Sequence, residues 1–324
     1  MKPDDDASDA QRDRNRRAAA FGTAMKWVGA ASAILALLFS VQRLVVMISD
    51  AREKSARIAE LLQTAGTQRE GGHYAEAWQT LEQAAALDAD RPAVREAQED
   101  LAMEWLRRAR VTQGRQTFGD IVALLSPVLN RGAATADAQE RRADMTAHLG
   151  WADFLLWREG RRELRPDDRY RRALELDPEN VYAHAMWAHW ILWQRGSPEE
   201  ARAHFAQALA AGRERAYVRE LEAAAWLNRS DPAAEVDLVR LAAAMSGAGE
   251  SLPAEVRRRL ADRLCLGYAS RFRPVPGDTV AAVISRADDV RALEWVFAGL
   301  ELNEAQHAVR DSCVDAARAG APLR

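Results

Sequence analysis

The chain has 324 residues, 48% of them apolar, with 45 basic and 48 acidic side chains and a formal net charge of −3. That balance suits a folded body and excludes the polycationic footprint of phosphate neutralisation, so no nucleic-acid partner is expected. The two cysteines, Cys265 and Cys313, are too few for a disulfide framework or a zinc site. They read as buried thiols acting as small apolar residues, with a single disulfide left open for an oxidising compartment.

Residues 1–17 form a polar arm, MKPDDDASDAQRDRNRR, too poor in apolar side chains to order itself. From Ala18 the chain turns apolar, and Phe21 to Val41 would span about 31 Å as a helix, close to the hydrocarbon thickness of a bilayer. Phe39-Ser40-Val41-Gln42 is a poor signal-peptidase site. A buried core helix would account for the uncharged run from Trp27 to Val41, but not for the flanking Arg12, Arg14, Arg16 and Arg17. Residues 18–48 are therefore taken as an uncleaved transmembrane anchor, with 1–17 a disordered cytoplasmic arm. The basic cluster before the span places the N-terminus inside. After it, Val41, Leu44, Ile48, Ala51, Ser55, Ile58, Leu62 and Ala65 alternate at spacings of three and four. This seam reads either as a dimer stalk or as a long helix whose far half packs into the first hairpin.

Strand-like alternation is almost absent, and helical hairpins follow one another. The first runs from Ile58 to Arg91, with Ala77, Leu81 and Ala84 at small, large and small positions. In the second, Pro92 opens a helix to about Val111, and Phe118 to Asn130 supply its partner, which Pro127 is expected to kink or stop. The third pairs Ala138 to Trp157 with Pro166 to Leu176, and the fourth runs from Val181 to Gly212. Tyr170, Ala173 and Leu176 recur as Phe205, Ala208 and Ala211, 35 residues on. A fifth hairpin joins Ala216 to Leu227 with Pro232 to Met245, where Asp231 caps and Pro232 takes the first position.

The 35-residue period, with its large ring, small residue three later and turn after Leu-Asp-Pro, resembles the tetratricopeptide repeat (TPR) family. The likeness is best in the fourth hairpin, where His184, Trp187, Ala188 and Ile191 hold the first helix's signature positions. It implies an all-α, TPR-like α-solenoid of helical hairpins over residues 49–245. Ser246 to Leu252 would be a flexible joint, and residues 253–320 a C-terminal helical cap over the open apolar face.

No catalytic constellation survives inspection. His184 and His189 are five apart and point to different sides of a helix, and no phosphate loop, nucleophile elbow or dinucleotide fingerprint occurs. Neither an enzyme nor a cofactor or metal is expected. Five of the ten tryptophans lie between Trp151 and Trp193. In the family, first helices line a concave partner-binding face. Carried onto this chain, those positions give a groove of Phe154, Trp157, Arg158, Tyr182, His189 and Trp193, unless later helices fill it. Leu62 and Gly66, or Ala185 and His189, stand where family members that clamp chaperone tails carry lysine and asparagine, so that clamp is missing.

The reading is thus a single-pass protein of a bacterial inner membrane with a periplasmic body. It would be a scaffold for a protein or peptide client, held in the membrane through its N-terminal helix. Two alternatives stay open: a structural homodimer within an envelope complex, and a helical domain that binds lipid or a small molecule.

Overall fold

The computed structural model describes residues 39–40, 42–109, 117–271 and 286–320, and every regular element among them is an α-helix. The protein is all-α. The expected arm at 1–17 and most of the expected span, 18–38, lie outside the described residues. Among those described, no helix is long and apolar enough to cross a membrane. The chain divides into a small unit ending at Gln98 and a larger one beginning at Glu99.

In the small unit, α1 (42–70) and α2 (Tyr74–Leu87) form a hairpin. Gly72 sits in its turn at φ +76°, left-handed backbone that glycine takes without a Cβ clash. Ile58, Leu61, Ala84 and Val94 make the core, with Leu62 and Ala85 packed against it. Arg91 donates to Ser55 Oγ at 3.1 Å. The far half of the heptad seam therefore packs into the hairpin. The near half does not: Leu44, Val45, Val46, Met47 and Ile48 stand 44–64% exposed.

The larger unit opens with the end of α3 (Pro92–Arg108), where Leu101, Trp105 and Leu106 are buried. Next, α4 (Phe118–Thr135) continues past Pro127, where the sequence predicts a kink or a stop. Pro127 is solvent-exposed, as is Ala123, whose carbonyl loses its helical partner there, so the lost bond falls on the side open to solvent. Leu125, Leu129 and Gly132 on the opposite face stay buried and carry the helix on.

Helices α5 (Gln139–Arg158), α6 (Pro166–Leu176), α7 (Val181–Trp193) and α8 (Pro198–Ala210) follow, each packed on the next. Tyr170 and Ala173 of α6, and Phe205 and Ala208 of α8, are fully or almost fully buried. Proline at the first position starts both α6 and α8, and Ser197 and Asn180 cap α8 and α7 through their side chains. After them come α9 (Arg215–Leu227), α10 (Pro232–Ala248) and α11 (Ala254–Arg271). Every second helix also meets the next but one: α5 packs on α7, α7 on α9, α9 on α11. In this inner layer α7 buries every residue except Trp187 and Trp193, so it needs no polar face of its own. Asp231 caps α10 as its sequence predicts, accepting from the Ala234 N–H.

The expected joint at 246–252 is no free hinge. Helix α10 continues to Ala248 and ends on Gly249 at φ +66°. Next to it, the Glu250 carboxylate accepts from Arg215 Nε at 3.0 Å and Arg219 Nε at 2.9 Å, and its carbonyl from Trp295 Nε1. Two arginines and a tryptophan tie down what looked like a glycine-rich linker. The pattern of neighbours then changes, with α12 (Arg286–Phe297) packed on α10, α11 and α13 (Glu304–Ala319). Cys265 of α11 and Cys313 of α13 form a disulfide with Cα atoms 5.7 Å apart, not the two thiols expected. Helix packing closes a gap of 48 residues that spacing alone does not.

Candidate functional site

Trp151, Phe154 and Arg158 fall at spacings of three and four on α5, one helical stripe, and His189 and Trp193 are one turn apart on α7. Because α5 and α7 pack together, the two stripes meet as a cluster of rings. Phe154 lies 5.1 Å from His189 and 5.5 Å from Trp193, both edge to face. Trp151 lies 4.8 Å from Phe154 and 5.2 Å from His189. These separations and tilts are the favourable ones for aromatic quadrupoles. The Arg158 guanidinium covers the cluster, 5.2 Å from the Trp193 ring and 5.2 Å from that of Phe118.

Phe118 is held there by the start of α4. Thr117 and Asp120 form a capping box. Glu159, at the end of α5, accepts from the Phe118 N–H and from the Gly119 N–H at 2.8 Å. The last residue of α5 and its C-cap thus grip the same phenylalanine, one by its ring and one by its amide. On another side, Trp151 Nε1 donates to the Leu106 carbonyl at 3.1 Å, which fixes the end of α3. That brings Arg107 and Arg108 to the cluster.

The result is a half-open cavity of about 460 Å³, lined also by Tyr217, Glu220, Leu221 and Ala224 of α9, by Asn228 and by Arg259 of α11. Four of the six groove residues expected from sequence line it: Phe154, Arg158, His189 and Trp193. Tyr182 does not. It shares a face with His189 but sits two turns away, about 10 Å along the axis, against His148 at 4.6 Å and Arg107 at 4.9 Å. Trp157 does not line it either. Its ring packs on Trp190 at 5.2 Å and under the Arg162 guanidinium at 3.7 Å. Successive residues of a helix differ by about 100°, so Trp157 cannot face the cavity that Arg158 faces.

Sequence reasoning missed the members from α3, α4, α9 and α11: Arg107, Phe118, Tyr217, Glu220 and Arg259 among them. A local signal exists only for Phe118, whose Thr117-x-x-Asp120 frame marks a helix start.

Electrostatically the cavity is cationic, and its buried imidazole and phenol are neutral. Arg108 pairs with Glu220 at 3.0 Å. Arg107 holds His148 Nε2 at 3.1 Å and lies over the Tyr182 and Tyr217 rings. Burial, helped by Arg158, pushes the His189 imidazole down to about 3. Burial likewise raises the Tyr217 phenol. Both side chains are therefore uncharged near neutrality, and His189 Nδ1 and the Tyr217 hydroxyl are buried with no hydrogen-bond partner in the protein. Such an arrangement can hold a ring and an anion. It pairs no base with a nucleophile, and among the described residues no group of three or more His, Cys, Asp or Glu is placed to hold a metal ion. The chain matches no protein-family model and no curated protein.

Proposed function

We propose that this protein is a membrane-anchored, TPR-like scaffold that holds a segment of a protein or peptide client, without catalysis, on the outer side of a bacterial inner membrane. The observation that carries the reading is the cavity of rings and arginines, because aromatic and arginine side chains are the preferred anchors of partner-binding surfaces. The repeat character is supported by the inner layer α5–α7–α9–α11 and by the matching burial of Tyr170 with Ala173 and Phe205 with Ala208. The anchor is supported by the row of exposed apolar residues from Leu44 to Ile48, next to the apolar stretch from Ala18. The Cys265–Cys313 disulfide favours an oxidising compartment for the body.

Site-specific photo-crosslinking in intact cells tests the proposal. A photoreactive residue at Trp193 should give a discrete protein adduct, and one at Val309, exposed on α13, should not. The Trp193 adduct should vanish when Arg158, whose guanidinium lies over the Trp193 ring, is changed to alanine. No adduct at Trp193, or equal adducts at both positions, sinks the scaffold reading.

A structural homodimer in an envelope complex is the second reading, favoured by the exposed Leu44 and Ile48 of the near heptads. Mass measurement of residues 42–324 against 50–324 separates the two, because only a dimer held by Leu44 and Ile48 becomes monomeric when they are removed.

A further inference from the structure

We infer that the cavity between Phe118, Trp193 and Tyr217 takes one aromatic ring with a carboxylate beside it. That is the chemistry of a peptide ending in phenylalanine, tyrosine or tryptophan, or of a free aryl acid. The inference deepens the scaffold reading and rests on it for the peptide source.

Size, wall and charge agree. A volume of about 460 Å³ lies within the roughly 300–1,000 Å³ of clefts that hold small ligands or single anchoring side chains. Its ring side is lined by buried Phe118 and Trp151 and by half-buried Trp193, aromatic surface that favours another ring. Its charge is lopsided: among the described residues four arginines line it with one carboxylate, Glu220, which Arg108 engages at 3.0 Å.

The anion's place is set by Arg107 and Tyr217. Arg107 is largely buried and hydrogen-bonded to Tyr182; Glu214 is the carboxylate that acts on it, yet among the described residues none lies within ion-pair distance of it. A cation so placed is stabilised by an incoming anion. One edge of its guanidinium is turned to His148, and the group lies 5.4 Å from the centre of the Tyr217 ring. The neighbouring Tyr217 hydroxyl is buried and unpartnered. A planar carboxylate can accept from both, which a bulkier, doubly charged phosphate would do at the cost of a second charge left without a partner. On the ring side, His189 also lines the cavity, and its Nδ1 is buried with no hydrogen-bond partner in the protein.

The test uses the full chain in phospholipid nanodiscs, read by calorimetry and by the fluorescence of Trp151 and Trp193. The probes are N-acetyl-phenylalanine, its C-terminal amide, N-acetyl-alanine, and a ten-residue peptide ending in phenylalanine. The acetylated acid should bind, and loss of either its carboxylate or its ring should weaken it by about tenfold or more, the loss expected for one charge-assisted contact. Arg107→Gln should erase the preference for acid over amide. Because Arg107 also braces His148 and Tyr182, Ala224→Phe supplies an independent reading, filling the cavity from a half-buried position while every charge stays. It should abolish binding in a protein whose thermal unfolding is unchanged.

An amide that binds as tightly as the acid, an alanine analogue that equals phenylalanine, or full binding to Ala224→Phe overturns the inference. A peptide at least tenfold tighter than the acetylated residue identifies a client tail, and equal affinity identifies a free aryl acid. Failure of every probe with the Trp193 crosslink intact refutes the pocket chemistry and leaves the scaffold. Probe binding without any crosslink keeps the pocket and removes the scaffold.

Discussion

Gly150 of α5 and Tyr170 of α6 touch so closely that a Cβ on the glycine would stand 2.7 Å from Cε1 of the ring and 3.0 Å from Arg169 Cβ. Tyr170 is fully buried and has nowhere to retreat. Gly150→Ala gains helix propensity worth about 1 kcal/mol. It also overpacks a rigid contact, which costs about 1–3 kcal/mol. The clash should win, and the variant should unfold at lower urea with an unchanged m-value. A midpoint at or above that of the parent protein would mean that α5 and α6 separate without cost.

The contrast between this contact and the cavity marks what the sequence discloses. Hairpin limits were legible because their signals are local: Pro166, Pro198 and Pro232 open helices, and Asn180, Ser197 and Asp231 cap them. Tyr170 and Phe205 announced their burial through the 35-residue echo. The cavity was only half legible. Phe154, Arg158, His189 and Trp193 come from two adjacent hairpins with the same periodicity, whereas Arg107 and Tyr217 stand 110 residues apart and meet only once the helices stack. Cys265 and Cys313 were misread for the same reason. Trp157 lies outside this cavity for a reason available beforehand, the 100° step between neighbours on a helix.

Acid should weaken the fold through its histidines. An unfolded histidine titrates near 6.5, whereas burial holds His189 down to about 3 and His204, beside His184, down to about 4. His184 Nε2 donates to the Pro178 carbonyl, so its Nδ1 accepts from His204, and a proton added there breaks the pair. Folded pKa values below the unfolded one mean that this stability is complete above pH 6.5. It is lost as pH falls from there toward 4 and then 3. For fully buried His189 the loss approaches about 1.4 kcal/mol per pH unit, or about 2 kcal/mol at pH 5. His189→Leu fits an apolar ring cluster and abandons an unpartnered nitrogen. It should match the parent at pH 7 and show a shallower fall in denaturation midpoint between pH 6.5 and 5.

Reduction should loosen the C-terminal helices. The Cys265–Cys313 bridge closes a 48-residue loop between α11 and α13, worth about 4 kcal/mol in the loop-entropy account. Dithiothreitol should lower the melting temperature of the parent protein and leave that of Cys265→Ser/Cys313→Ser untouched. Amide exchange should rise first in α12 and α13. Two free thiols in protein extracted from cells under acid quench would overturn the prediction.

Glu159 offers a way to disturb the cavity without touching its lining. Its carboxylate caps α4 by accepting from the Phe118 and Gly119 N–H groups, at the helix end where the dipole favours negative charge. Glu159→Ala leaves two amides to water and should cost about 1–2 kcal/mol. Phe118, no longer anchored, should then shift under Arg158. Arg158→Ala uncovers the ring while the cap stays in place, so its unfolding midpoint should stay near that of the parent. The comparison separates cap from cover: Glu159→Ala should lower both stability and ring-probe affinity, and Arg158→Ala affinity alone. Equal losses of stability in both variants would show that the arginine holds α4 in place just as the carboxylate does, and that the two neighbours do not divide the work.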